Sequence, residues 1–227
     1  MAIVDESSKL MYVSIPKAAN SAVKRLFWVA NGWPADKKID AIHTVDPEIV
    51  PFRQFDDYTE AELRRVLTGG DYFRFTFVRN PYTRIQSAYK NKILNPATEK
   101  KRASFLKKLN WNKNTLPEFG DFLDIIRTQK ELKMDWHWMP QTRLALIDMI
   151  DYHLIGKQES FSQEIAPVYE RLRLEVADWP NLIGTPINQT TEEKVVILNP
   201  IDAEKVWDIY RADFDTFGYD STDYQRK

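Results

Sequence analysis

The sequence predicts an α/β fold, a mainly parallel β-sheet covered by helices on both faces, in one domain spanning residues 1–227. Short apolar runs alternate with stretches whose apolar residues recur at helical spacing. A strand, loop, helix unit occurs twice, each helix opening directly behind an apolar run. The chain of 227 residues, 43% hydrophobic, is long enough to bury one core, and its composition requires no second domain.

In chain order, LMYVSI (Leu10 to Ile15) is the first expected strand. SAVKRLFWVAN then sets Val23, Leu26, Phe27 and Ala30 on one helical face. Residues 31–58 look irregular, with Gly32, Pro34, Pro47 and Pro51 spacing out short polar stretches. Thr59 and Glu62 make a capping box that opens a helix through Leu67, which Thr68-Gly69-Gly70 ends. YFRFTFV (Tyr72 to Val78) is the second strand, and Arg79-Asn80-Pro81 starts a helix with Asn80 as cap and Pro81 in its first turn. Residues 95–115 are basic and polar, and Leu116 to Gln129 forms a further helix with Pro117 near its start. Tyr152 to Gly156 is a third strand, and a helical pattern from about Phe161 to Val176 is interrupted at Pro167. The segment NPIDAEKVWDIYRADFDTFGYD reads as a capped helix ending near Gly218.

Composition removes several classes of function. Lys and Arg (32) balance Asp and Glu (33), so no global field gathers nucleic acid or an anionic membrane, and any anion site must be local. The absence of Cys excludes disulfides, thiolate metal sites and cysteine nucleophiles. Three His, with no HExxH spacing, give no expectation of a metal. The N-terminus lacks a basic segment followed by a long apolar one, and no window approaches a membrane span, so a soluble, cytoplasmic protein is expected. The 13% aromatic share suits a cleft that stacks on sugars, with most rings in the core. The pattern specifies no oligomeric state.

Two junctions carry chemistry. After Ile15 the chain passes through Pro16-Lys17 and the small residues Ala18, Ala19, Asn20 and Ser21 before becoming helical. Such a junction aims backbone N–H groups and one ammonium at a single spot, where an anion is the natural guest. A Walker A loop carries its Lys behind the glycines; here Lys17 precedes the loop and the glycines are missing, so this is not an ATPase loop of that kind. At the second junction a strand end delivers Arg79 to a helix start, where a guanidinium fork and amide groups together suit a phosphate dianion. Asn80, Arg84, Ser87 and Asn91 recur at spacings of three and four and form one polar stripe.

IPKAANSAVKR resembles the phosphosulfate-binding loop of sulfotransferases that use 3′-phosphoadenosine 5′-phosphosulfate (PAPS), in the version found among carbohydrate sulfotransferases. FTFVRNPYTRIQSAYKNK is similar to that family's 3′-phosphate loop. MDWHWMPQTRL resembles its His-Trp-x-x-Gln segment, and DYHLIGKQESF its strand ending in Gly-Lys-x-Glu. Asn20 and Ala22 stand where carbohydrate enzymes often carry Cys and Ser, and Val23 replaces a frequent Trp. The resemblance implies a P-loop NTPase-like sheet and a PAPS-dependent enzyme that sulfates a hydroxyl, with a carbohydrate acceptor favoured and no metal required. It implies that Lys17, Ala18, Ala19, Asn20, Ser21 and Ala22 hold the phosphosulfate, and that Arg79 and Ser87 hold the 3′-phosphate. A kinase-type phosphotransferase and a non-catalytic glycan-binding protein are the alternatives.

The proton acceptor is expected among His43, His137 and His153, because imidazole titrates near neutrality. His43 lies between the two junctions, where the resembling enzymes place a histidine, and is favoured together with catalytic Lys17; Glu48 is the carboxylate alternative. His137 and Trp138 are expected to bind or orient the acceptor, or else to pack. His153 is expected in the core or at an edge. Arg84 is open between anion binding and a structural role. The run Lys100, Lys101, Arg102, Lys107, Lys108 and Lys113 is expected to be a solvated helix face, with an anionic acceptor as the functional alternative.

Overall fold

The computed structural model describes residues 2–34, 52–112, 115–174 and 198–225. In chain order the elements are β1 (Ala2–Asp5), β2 (Leu10–Val13), α1 (Asn20–Ala30), α2 (Glu60–Thr68), β3 (Phe73–Val78), α3 (Pro81–Tyr89), α4 (Glu99–Lys108), α5 (Phe119–Arg127), α6 (Gln141–Leu144), β4 (Leu154–Lys157), α7 (Phe161–Glu164), α8 (Ala166–Leu172) and α9 (Pro200–Phe217). Their contacts divide the chain into two compact units, Met1–Val78 with Ala145–Glu193 and Arg79–Leu144 with Lys194–Lys227. No helix among the described residues is long and apolar enough to cross a membrane.

The first unit holds a four-stranded sheet in the order β1-β2-β3-β4. β2, β3 and β4 run parallel, with Val13 opposite Thr76 and Phe77 opposite Gly156, so β2 and β3 end side by side at one edge. The expected parallel arrangement holds for β2, β3 and β4, and β1 departs from it. It pairs antiparallel with β2, Ala2 opposite Val13, which makes the sheet mixed. The cause is local: the Asp5 carboxylate accepts hydrogen bonds from Ser7 N–H at 3.0 Å and from the Ser7 and Ser8 hydroxyls at 2.7 Å, closing a hairpin over residues 5–10.

Alternate residues of the strands feed two cores, as the two-residue strand period requires. Leu10, Tyr12, Phe75 and Phe77 pack with Val23, Leu26 and Phe27 of α1 and with Val168, Tyr169 and Leu172 of α8. Ala2, Val4, Met11 and Val13 point the other way, against Val66 of α2, Tyr72 and Ile150. Each fully buried large apolar side chain contributes roughly 1.5–3 kcal/mol, set against the entropy of ordering the chain.

The second unit is helical. Tyr82, Ile85 and Tyr89 of α3 meet Phe122 and Ile126 of α5, Trp138, and Val206, Tyr210 and Phe214 of α9. The expected caps are in place. Thr59 accepts from Glu62 N–H in a capping box, Asn80 accepts from Tyr82 N–H, and Asn199 accepts from Asp202 N–H. Gly218 ends α9 with a φ of 63°, the left-handed turn that favours glycine.

Candidate active site

The loop behind β2 belongs to the first unit. Lys17 and Ala19, neither of them glycine, adopt left-handed backbone with φ of 70° and 53°. Each such residue costs on the order of 1 kcal/mol, so the surrounding fold holds the loop in this shape. Ala18 is buried and its N–H bonds the Ile15 carbonyl at 3.3 Å. Ala19 stands at the N-cap of α1 and supplies no side-chain cap. Asn20 turns its side chain back toward the strand, and its Oδ1 accepts from the Ser14 hydroxyl at 2.7 Å. Lys17, Ser21 and Ala22 are half-buried along the same turn.

Two further cations of α1 were not singled out from the sequence. Burial lowers Lys24 to about 8, so it is still mostly protonated at neutral pH. Arg25 has its Nε buried with no hydrogen-bond partner among the described residues. Its position four residues beyond Ser21, on the same helical face, is the signal that sequence reading had available.

Arg79 opens the second unit immediately after β3. Its Nε donates to the Thr83 hydroxyl at 2.9 Å, one turn into α3. Its backbone is held by Gln141, whose Oε1 accepts the Arg79 N–H at 2.9 Å and whose Nε2 donates to the Arg79 carbonyl at 2.8 Å. Asn80 caps α3 and donates from Nδ2 to Asp223 at 2.9 Å. Ser87 is half-buried two turns along α3. Arg84, by contrast, points inward. It is 2% exposed and donates to the carbonyls of Met139 at 2.9 Å and Trp136 at 3.2 Å, contacts that favour the structural alternative. The polar stripe thus divides between a capping Asn80 and a buried Arg84.

A cleft of about 440 Å³ in the second unit is lined by Lys108, Lys133, Asp135, Trp136 and His137, among others. His137 Nδ1 lies 2.6 Å from Asp135 Oδ1, and Lys108 pairs with the other carboxylate oxygen. Burial opposes the ionised form of Asp135, but hydrogen bonds from His137 and Lys108 outweigh it and hold the carboxyl well below its usual range. Trp138 also borders this cleft but is fully buried, with its indole N–H donating to Gln129 at 3.1 Å. The exposed indole of the segment is Trp136, at 52%. Sequence adjacency did not distinguish the two rings.

His153 lies just before β4, where its Nδ1 accepts the Arg74 N–H at 3.2 Å and its ring stacks on Phe73. Burial, followed by the Arg74 and Arg171 charges, lowers its pKa, which matches the neutral acceptor this bond needs. Of the basic run, Lys100, Lys101, Lys107 and Lys108 are exposed, while Arg102 bonds the carbonyls of Ile93 and Leu94. His43, Glu48 and Lys113 lie outside the described residues. No group of three or more His, Asp or Glu suited to a metal occurs among the described residues.

A strand that runs into a helix start whose N-cap residue supplies no side-chain acceptor is an arrangement that suits an anion. Residues 1–220 match the model of the Sulfotransferase family, and the chain belongs to that family. Among curated relatives it is 28% identical to carbohydrate sulfotransferase 11 of Mus musculus, over 98% of this chain and 68% of the relative. It is 24% identical to carbohydrate sulfotransferase 12 of Xenopus laevis, over 97% of this chain and 60% of the relative. Carbohydrate sulfotransferase 14 of Danio rerio is 27% identical, over 96% of this chain and 61% of the relative. The chain thus spans between 60% and 68% of the length of these relatives. No solved structure gave a significant match.

Proposed function

We propose that the chain transfers a sulfuryl group from PAPS to a hydroxyl of a carbohydrate acceptor. The observation that carries this reading is the loop over residues 17–22, where left-handed backbone at Lys17 and Ala19 leads into a helix start whose N-cap residue, Ala19, offers no side-chain acceptor. Amides arranged in this way form an anion-binding concavity. The Nε of Arg25, buried and without a hydrogen-bond partner among the described residues, is a second sign that α1 suits an anion. In this reading the loop takes the part that a phosphate loop plays in P-loop kinases. The carbohydrate acceptor rests on the names of the relatives and on the cleft that presents Trp136 and His137.

PAPS supplies the sulfuryl group, and the chain supplies position and charge. Lys17, with the amides of residues 19–22, holds the phosphosulfate end and stabilises negative charge that grows as the S–O bond to the nucleotide breaks. Arg79 and Ser87 receive the 3′-phosphate. His43 accepts the proton of the acceptor hydroxyl as the new S–O bond forms. Lys17 supplies the neutralising charge that a divalent ion supplies in phosphoryl transfer, so the reaction proceeds without metal.

Transfer from labelled PAPS to a panel of glycans, in the presence of a chelator, tests the reading. Lys17→Ala is expected to lower turnover by about 100-fold or more while the melting temperature stays near that of the wild type. An undiminished rate in that variant overturns the mechanism. Adenosine 3′,5′-bisphosphate is expected to raise the melting temperature without metal, whereas stabilisation by ATP with Mg²⁺ alone points to a phosphotransferase.

A further inference from the structure

Gln141 is the first residue of α6 and is 0% exposed. Its side chain spans both backbone groups of Arg79, accepting from the N–H at 2.9 Å and donating to the carbonyl at 2.8 Å. This is the pair of bonds that a neighbouring strand residue gives in a ladder. The β3–β4 ladder ends one residue earlier, at Val78 opposite Lys157. A side chain thus replaces a strand partner where the backbone leaves the sheet and turns into α3.

Gln141 is itself anchored. Its N–H donates to Asp213 Oδ2 at 2.8 Å, while the N–H and hydroxyl of Thr142 donate to Asp213 Oδ1 at 2.8 and 3.0 Å. Asp213, on α9, is 0% exposed. A continuous chain of bonds therefore runs from α9 through the start of α6 to the backbone of Arg79. With the Arg79 Nε also held by Thr83, both ends of this arginine are tied to fixed groups.

We propose that Gln141 is a positioning residue of the donor site, locking the Arg79 backbone so that its guanidinium meets the 3′-phosphate, with Asp213 as its anchor. The inference rests on the reading that Arg79 takes that phosphate. Gln141 touches no reacting atom and acts through Arg79. Its loss therefore reduces discrimination for the 3′-phosphate and leaves the other end of the nucleotide as it was.

Calorimetric titration of adenosine 3′,5′-bisphosphate and of adenosine 5′-phosphate, which lacks the 3′ group, separates this role from general destabilisation. For Gln141→Leu the preference for the bisphosphate is expected to fall about tenfold, with adenosine 5′-phosphate affinity kept within about twofold. Gln141→Glu keeps the side-chain shape and the acceptor for the Arg79 N–H but turns a carboxylate oxygen toward the Arg79 carbonyl, so a loss of preference is expected in this second variant too. Adding Gln141→Leu to Arg79→Ala is expected to cause no further loss. An unchanged preference in both Gln141 variants, or an equal loss for the two nucleotides, overturns the inference. If Arg79→Ala keeps the full preference, the assignment of Arg79 itself fails, and the inference with it.

Discussion

Arg84→Met separates a structural arginine from a ligand-binding one on the same helix. The guanidinium is fully enclosed, and its removal strips donors from the carbonyls of Met139 and Trp136, bonds to a charged donor worth roughly 1.5–3 kcal/mol each. Burial lowers the Arg84 pKa, so part of that gain already offsets the cost of enclosing the charge. The Arg84 charge also favours the ionised form of buried Asp213, whose pKa is raised by burial. Breaking such a buried arrangement on one side costs about 3–5 kcal/mol. At about 2–4 °C per kcal/mol for a chain of this length, the melting temperature is expected to fall by roughly 10 °C. Thermal unfolding followed by circular dichroism reads the loss, and titration of adenosine 3′,5′-bisphosphate in the cold reads binding per folded molecule. Binding is expected to survive. A variant that melts with the wild type yet no longer binds nucleotide refutes the argument, because the guanidinium must then face the ligand.

Gly156→Ala places a methyl group 2.4 Å from a ring carbon of Phe77, which is itself packed edge-on against Phe161 at 4.7 Å. The expected cost is roughly 1–3 kcal/mol in a urea titration, and Phe77→Leu in the same chain should recover part of it; additive losses would show that the ring yields freely. Acid titration probes the β1–β2 hairpin. Burial alone raises Glu6, but hydrogen bonds from Tyr72, Lys9 and Tyr58 outweigh it and bring the carboxyl to about 2. A folded pKa below the unfolded value of 4.5 gives stability that is present above pH 4.5 and lost as pH falls from there toward 2. With the side chain 39% exposed, solvent screening limits the effect to about 1 kcal/mol. Glu6→Gln should flatten this part of the acid limb, and an unaltered limb would contradict the assignment.

What the sequence made legible was local. β2, β3 and β4 announced themselves as apolar runs, and the helix starts at Thr59, Asn80 and Asn199 follow from side chains that reach only two or three residues. β1 escaped notice because three apolar residues carry little signal, and its pairing depends on how Asp5 folds the following turn. The loop at Lys17 was visible as a run of small residues, yet its left-handed backbone was not, since neither position is glycine. Helical spacing placed Arg84 and Ser87 on one stripe without telling which way Arg84 turned, because direction is set by the carbonyls of residues 136 and 139, far along the chain. The hold of Gln141 on Arg79 spans 62 residues and leaves no periodic trace.

The order in which the pieces leave the ribosome bears on how the protein reaches this state. β3 must wait for β4 across the whole of residues 79–153, and the helical core cannot close until Val206, Tyr210 and Phe214 have emerged. Neither assembly is complete when its first half has been synthesised, so nascent chains expose the rim of β3 and the apolar sides of α3 and α5 for most of translation. Loss of α9 alone would therefore leave a polypeptide with a nearly finished sheet and an unsealed helical half, a natural client for chaperones.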